Sequence, residues 1–480
     1  MSIIEGETTP QPTAQASAAI KRTLVEQRGI DHIPDSERRG TPRHLGLMWS
    51  GAILNVGVVV YGTLLVAMGL NLWQSLIAIA VGALSWILAG LCSLSGPAAG
   101  TTAFTISRAP FGRNGMRPIA LFNWLMQIGY EVLDLVMIVL AGSALLGMAG
   151  VHVGTGAKLA LLVVFAIAQS LLPMVGHAAI TRVLHWLIAP FAALFVVMAW
   201  LTADKLHVTV GHPAGWAALM GGIALSASGG GLGWASSGPD YSRYLPREAS
   251  RGRIFAAVTI GGAVPQALLM LLGVGVALLT DKATDPVSGL PAVYPGWFLL
   301  PYLVLLIVQM LSLNAINLYS SGVTLQAIGL PVGRWQAVAV DGAFSALVGA
   351  IVVFSSSFNT VLSNFLLFMN VWLAPWTAVF ILDYFLRRGR YDVEALDSAG
   401  SRFGESRAFG MPGLTAMAAG MVVALLSIDT TVYTGPLAKL CAGGDLSVPT
   451  GLIVAGVVYY MLFRRESAAV PGIVGAEAMA

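Results

Sequence analysis

Residues 215–236 read GWAALMGGIALSASGGGLGWAS, an uncharged run that, at about 1.5 Å rise per residue, covers as a helix the roughly 30 Å hydrocarbon core of a bilayer. Its second half is ill suited to that helix. Ser228 is followed by Gly229, Gly230, Gly231 and Gly233, and each glycine inside a helix costs about 1 kcal/mol against alanine. A helix that opens within the bilayer frees backbone N–H and C=O groups that lipid cannot satisfy. Such a break is tolerated only where it is buried in protein or lines a wet cavity.

The rest of the chain supplies the bilayer. Of its 480 residues 56% are hydrophobic and 10% charged, and mean hydropathy is +0.79, whereas a soluble domain is about a quarter charged. Twelve apolar segments of helix-spanning length can be drawn, at 45–70, 72–95, 118–148, 157–176, 183–203, 215–236, 253–280, 298–329, 335–354, 360–386, 410–428 and 447–463. Below, they are segments 1 to 12. Every arginine falls in the N-terminal tail, the even-numbered gaps or the C-terminal end, from Arg22 through the cluster Arg243, Arg247, Arg251 and Arg253 to Arg464 and Arg465. Only Lys158, Lys205, Lys282 and Lys439 fall on the other face. Cytoplasmic loops keep the excess of Lys and Arg, so both termini are expected inside the plasma membrane. The net charge of +3 therefore reads as topology, with the lipid bilayer as the partner and no nucleic acid. Cys92 and Cys441 fall on opposite sides in this layout, which excludes a disulfide, and no CxxC motif occurs.

Residues 1–44 are polar and read as a largely disordered cytoplasmic tail without a secretory signal, and 464–480 as a C-terminal tail. Segment 1 repeats the anomaly of segment 6, with Asn55, Gly57 and Gly62 in mid-run. The two lie five segments apart, an odd number, so five-helix units beginning with them would cross the membrane in opposite senses. That is the pattern of an inverted-repeat transporter, whose paired broken helices hold substrate and ion near the midplane. Close helix packing by glycine is the competing reading.

Two polar stripes join the breaks. Asn123, Gln127, Tyr130, Glu131 and Asp134 of segment 3 share an arc of about 100°, and Asn314, Asn317 and Ser321 of segment 8 share about 60°, with Ser312 one turn earlier. A carboxylate at bilayer depth costs several kcal/mol, so Glu131 must face a wet cavity, pair or be protonated. It is a candidate proton carrier, unless it only ties helices together. Amides carry both donor and acceptor and match the edge of a flat heterocycle, while Tyr130 and Trp234 can stack on its face. Enzyme signatures are missing: Trp234 replaces the last glycine of a GxGxxG, and neither HExxH nor a nucleophile elbow occurs.

From Leu45 to Asp392 the chain resembles the nucleobase:cation symporter family, in its cytosine and purine permease branch. The most specific pieces are Gly233-Trp234 with Asp240-Tyr241-Ser242-Arg243-Tyr244-Leu245-Pro246, and Asp383-Tyr384-Phe385-Leu386-Arg387-Arg388-Gly389-Arg390-Tyr391-Asp392. The resemblance implies an all-α polytopic protein of 12 transmembrane helices: a LeuT-type 5+5 inverted-repeat core (45–392) and two peripheral helices, which with the loop before them occupy 393–463. It also implies substrate-binding roles for Gln127, Tyr130, Gly233, Trp234, Asn314 and Asn317, with Tyr130 standing where the family usually has tryptophan. Glu131 joins that set as a partner for a substrate N–H. A sodium site of the family kind would use backbone carbonyls of Ala52 and Asn55 and the Ser312 hydroxyl, but Leu313 stands where a second hydroxyl is expected. A proton on Glu131 is therefore favoured over sodium as coupling cation, and no other cofactor or metal is expected. The expected function is import of a nucleobase or related small heterocycle by cation symport with alternating access. A vitamin or allantoin/hydantoin carrier, or a non-transporting receptor, is the alternative.

Overall fold

The computed structural model describes residues 29–206, 210–354, 358–392, 396 and 408–469. Expectations for residues 1–28, most of 393–407 and 470–480 lie outside the described residues. Each of the twelve apolar segments contains helix, though not all are helical throughout. Segments 3 and 8 are the longest, Met116–Met148 and Gly296–Ile328, and they pack along one another. Nine helices are long and apolar enough to cross a membrane among the described residues, ten when a bent pair counts as one span. The helices Trp216–Ser228 and Met411–Ser427 are apolar but shorter. The protein is thus a multi-pass, all-helical membrane protein.

The bent pair is segment 1. Pro42–Ile53 and Val56–Ala67 meet at 58°. Asn55 starts the second half: its side chain accepts from Val58 N at 3.1 Å and donates to the Ala52 carbonyl at 2.8 Å. Asparagine is among the best helix N-caps because its side chain replaces a missing helical acceptor. Gln309 of segment 8 accepts from Val56 N at 3.2 Å. Gly57 and Gly62, read from sequence as part of the break, instead lie inside the second helix. At Gly62 a Cβ would stand 2.0 Å from the Met270 carbonyl oxygen, and at Gly273 of segment 7 one would stand 2.0 Å from that of Val59. These glycines let segments 1 and 7 touch backbone to backbone, the packing role that competed with the break reading.

In segment 6 the break lies where the glycines are. Helix Trp216–Ser228 stops, residues 229–237 turn without regular helix, and a short helix Gly238–Ser242 follows. Segment 2 stitches the opening at its own interruption between Leu84 and Trp86: Ser85 Oγ accepts from Leu232 N at 3.3 Å. Trp86 Nε1 donates to Gln266 at 2.6 Å, and Gln266 in turn donates to the Ser226 carbonyl at 2.9 Å. A Cβ on Gly231 would lie 2.2 Å from Trp86 N. Only glycine lets the unwound chain pass there.

Residues 29–41, assigned from sequence to a disordered tail, form a strap across one end of the bundle. Ile33 N donates to the Gly100 carbonyl, Arg38 to those of Ile33 and Pro97, and Arg243 to that of Gly29. Arginine carries five donors and loses little by being buried once each finds a carbonyl. Segments 11 and 12 pack on each other and on segment 10.

Candidate functional site

Between the two breaks lies a small cavity lined by Asn55, Tyr61, Tyr130, Asp134, Gly229 and Trp234, with Leu313 on its wall. Trp234 sits in the unwound stretch and is held edge-on by Trp49, 5.5 Å away between ring centroids. The Tyr130 ring lies nearly parallel to it, at 13° and 6.1 Å. Phe365 of segment 10 meets Tyr130 edge-on at 5.2 Å. The Tyr130 hydroxyl donates to the Ser228 carbonyl at 3.2 Å, so it pairs an acceptor freed by the end of the helix. Two van der Waals contacts of about 3.5 Å each are needed to hold a flat ring between two others, so at 6.1 Å the pair must part by about 1 Å to sandwich one. Gly233 belongs to this junction, since a Cβ there would come within 2.2 Å of the Ser228 carbonyl oxygen and 2.8 Å of the Tyr130 hydroxyl.

Gln127 lies one turn before Tyr130 and is 1% exposed. Its Nε2 donates to Ser237 Oγ at 3.1 Å, and its Oε1 has no hydrogen-bond partner. A buried unpaired acceptor costs about 1–3 kcal/mol, and Gln127 is not among the residues that line the cavity.

Asn314 and Asn317 do not line the cavity. They form a layer behind it: Asn317 Nδ2 donates to Asp134 Oδ2 at 3.3 Å and to Asn314 Oδ1 at 3.1 Å. Asn314 Nδ2 donates to Gln169 Oε1 at 2.8 Å and to the Glu131 carbonyl at 3.1 Å. Asp134 is therefore the group that this chain of amides presents to the cavity. Glu131 points elsewhere, toward segment 9, where Ser321 joins it to Asp341. Asp341, Gln169 and Gln309 were not singled out from the sequence. Asp341 carried a signal, being an acid inside an apolar helix.

Of the residues read as cation ligands, Ala52 has its carbonyl engaged by the Asn55 amide, and the Ser312 hydroxyl donates to Val308 of its own helix at 2.7 Å. Both carbonyls at the break face local donors, since that of Asn55 accepts from Val58 N at 3.3 Å.

The two family-like motifs anchor helix ends. Asp240 accepts from Ala103 N at 2.9 Å, Arg243 donates to Tyr244, Tyr319 and the strap, and Asp383 pairs with Arg387 at 2.7 Å while accepting from Tyr459 at 2.6 Å.

Comparison with known proteins bears on family and fold. Residues 32–451 match the model of a family described as permease for cytosine/purines, uracil, thiamine, allantoin. A Bacillus subtilis protein provisionally named a purine-cytosine permease is 31% identical, over 92% of this chain and 96% of its own length. A purine-cytosine permease of Emericella nidulans is 26% identical over 91% and 88%. Among solved structures the fold is similar to Mhp1, a nucleobase-cation-symport-1 family transporter in a closed conformation with bromovinylhydantoin bound. That match has a TM-score of 0.77 at 18% identity and covers 94% of this chain and 97% of the other.

Proposed function

This chain belongs to the family of permeases for cytosine/purines, uracil, thiamine and allantoin, and from that premise we propose that it imports a purine- or cytosine-type base across the plasma membrane by proton symport. Membership makes it a secondary transporter and not an enzyme. The observation that carries the substrate reading is the cavity where both broken segments meet, with an aromatic face made by Trp234 and Tyr130 and an acidic edge made by Asp134. A base with ring N–H or exocyclic amino groups donates to a carboxylate and stacks on an indole. Asn317, itself bonded to Asn314, holds Asp134 in place behind the cavity.

Counting Trp216–Ser228 and Met411–Ser427 as spans gives twelve crossings. Segments 1 and 6 are then the first helices of two inverted repeats, segments 11 and 12 are peripheral, and both termini are cytoplasmic. The matched breaks five segments apart and the mutual packing of segments 11 and 12 support this layout. Proton coupling is favoured because Leu313 occupies the position of a second sodium-binding hydroxyl, and because Glu131 and Asp341 are buried acids that form no ion pair among the described residues.

Uptake of labelled cytosine, adenine, guanine, uracil, allantoin and thiamine into proteoliposomes, under separate pH and sodium gradients, tests the reading. Concentrative uptake of a base under a pH gradient is expected. Uptake of allantoin or thiamine alone moves the substrate to the other branch of the family's range, and saturable binding without accumulation makes the chain a receptor.

A further inference from the structure

Glu131 on segment 3 and Asp341 on segment 9 are both 0% exposed, and between them stands Ser321 of segment 8, also 0% exposed. Its Oγ is 2.8 Å from Glu131 Oε1 and 2.8 Å from Asp341 Oδ2. A hydroxyl has one hydrogen and ionised carboxylates only accept. With both acids ionised, one of these two contacts brings two acceptors together without a proton. The protonation state that satisfies both puts a hydrogen on one carboxyl, which donates to Ser321 while Ser321 donates to the other.

Further neighbours decide which acid holds it. Trp124 Nε1 donates to Asp341 Oδ1 at 2.6 Å, so both oxygens of Asp341 receive donors and its charge is stabilised. Glu131 Oε2 has no hydrogen-bond partner although it is fully buried. Ser345, one turn beyond Asp341, donates to the Gly342 carbonyl at 3.2 Å and accepts from Gln169 at 3.3 Å, so it leaves Glu131 Oε2 unpaired. Asp134 is a further titratable group near Glu131, and among the described residues no Lys, Arg or His forms an ion pair with it. The directed chain runs from the Glu131 carboxyl O–H to Ser321 and from Ser321 O–H to Asp341, which Trp124 also supplies.

We propose that Glu131 and Asp341, bridged by Ser321, hold a single exchangeable proton and form the coupling site, separate from the substrate cavity. The step is an acid–base one: a proton adds to Glu131 Oε1 on loading, and leaves to water on release, when two carboxylates share one hydroxyl. The cavity connects to this site through hydrogen bonds from Asp134 to Asn317, Asn314 and the Glu131 carbonyl. Asp341 becomes a positioning residue for the proton, a role segment 9 did not have in the reading of Glu131 alone. This inference rests on the proton-coupled reading above.

The test combines pH-difference infrared spectra of the purified protein with uptake of labelled cytosine or adenine by proteoliposomes. The wild type is expected to show a protonated-carboxyl band that Glu131→Gln removes. Asp341→Asn, which takes away the second charge, should move the titration of that band to lower pH by about a unit or more and cut pH-driven accumulation about tenfold more than it cuts base exchange. Ser321→Ala removes the bridge without changing charge and should shift the titration in the same direction, which keeps the test open where Asp341→Asn fails to fold. An unshifted band with unaltered pH-driven accumulation in both variants overturns the shared-proton site and leaves proton symport standing. Accumulation that answers to sodium and not to pH in the wild type overturns the coupling reading itself.

Discussion

Trp234 is held in place by Trp49 and faced by Tyr130, and it is the side chain with the largest expected effect on binding. Stacking of a base on an aromatic ring contributes about 1–3 kcal/mol, so Trp234→Ala should weaken base binding by about 5- to 150-fold, read by isothermal titration or competition uptake. Tyr130→Phe keeps the ring and loses one hydrogen bond of about 1 kcal/mol; a fall in affinity well beyond about tenfold would show that the hydroxyl touches substrate and not only Ser228. Asp134→Asn should lower affinity for bases with ring N–H or amino donors more than Asn317→Ala does, because Asp134 lines the cavity and Asn317 stands behind it. Equal losses would place the asparagines in direct contact. The residue types of this site were legible from two stripes on two helices. Which of them reach the cavity was not, since a stripe about 100° wide faces several neighbours at once and hydrogen-bond partners such as Asn314 and Gln169 lie 145 positions apart.

At the scale of helices, the two breaks were visible in sequence as polar and glycine residues inside apolar runs, but glycine alone did not say which positions unwind. Gly62 and Gly273 serve contact between segments 1 and 7. Gly62→Ala pushes a methyl group against the Met270 backbone, and overpacking of this kind costs about 1–3 kcal/mol. A lowered unfolding temperature in detergent is expected, while Gly252→Ala, where nothing lies within 4 Å, should be neutral. The strap at 29–41 was missed because its composition is polar and its order comes from carbonyl groups of other segments. His32 lies in it, against the Ala99 carbonyl at 3.1 Å. Burial pushes the imidazole below the usual histidine range, outweighing the hydrogen bond to Ala99. The docked strap thus prefers the neutral ring: the stabilisation is present above the ordinary histidine pKa and is lost as pH falls through the depressed one. Hydrogen exchange of residues 29–41 should quicken on mild acidification, and His32→Gln should flatten that dependence.

For the whole molecule, the proposed orientation makes a direct prediction from its two cysteines. Cys441 is exposed and Cys92 buried, so a membrane-impermeant maleimide added to intact cells should label Cys441 alone. Labelling only after the inner face is opened would invert the topology. The sequence by itself determined the membrane class, the apolar runs that become helices, the two interrupted ones and the resemblance to a permease family, because length, hydropathy and local motifs are properties of contiguous residues. The tertiary structure alone decided that Asp134 and not the asparagines meets the cavity, that Ser321 joins Glu131 to Asp341, and that the strap closes over the end of the bundle. These depend on how each helix is rotated about its axis and on which distant donors meet which acceptors, and a buried polar group finds its partner in space, not along the chain.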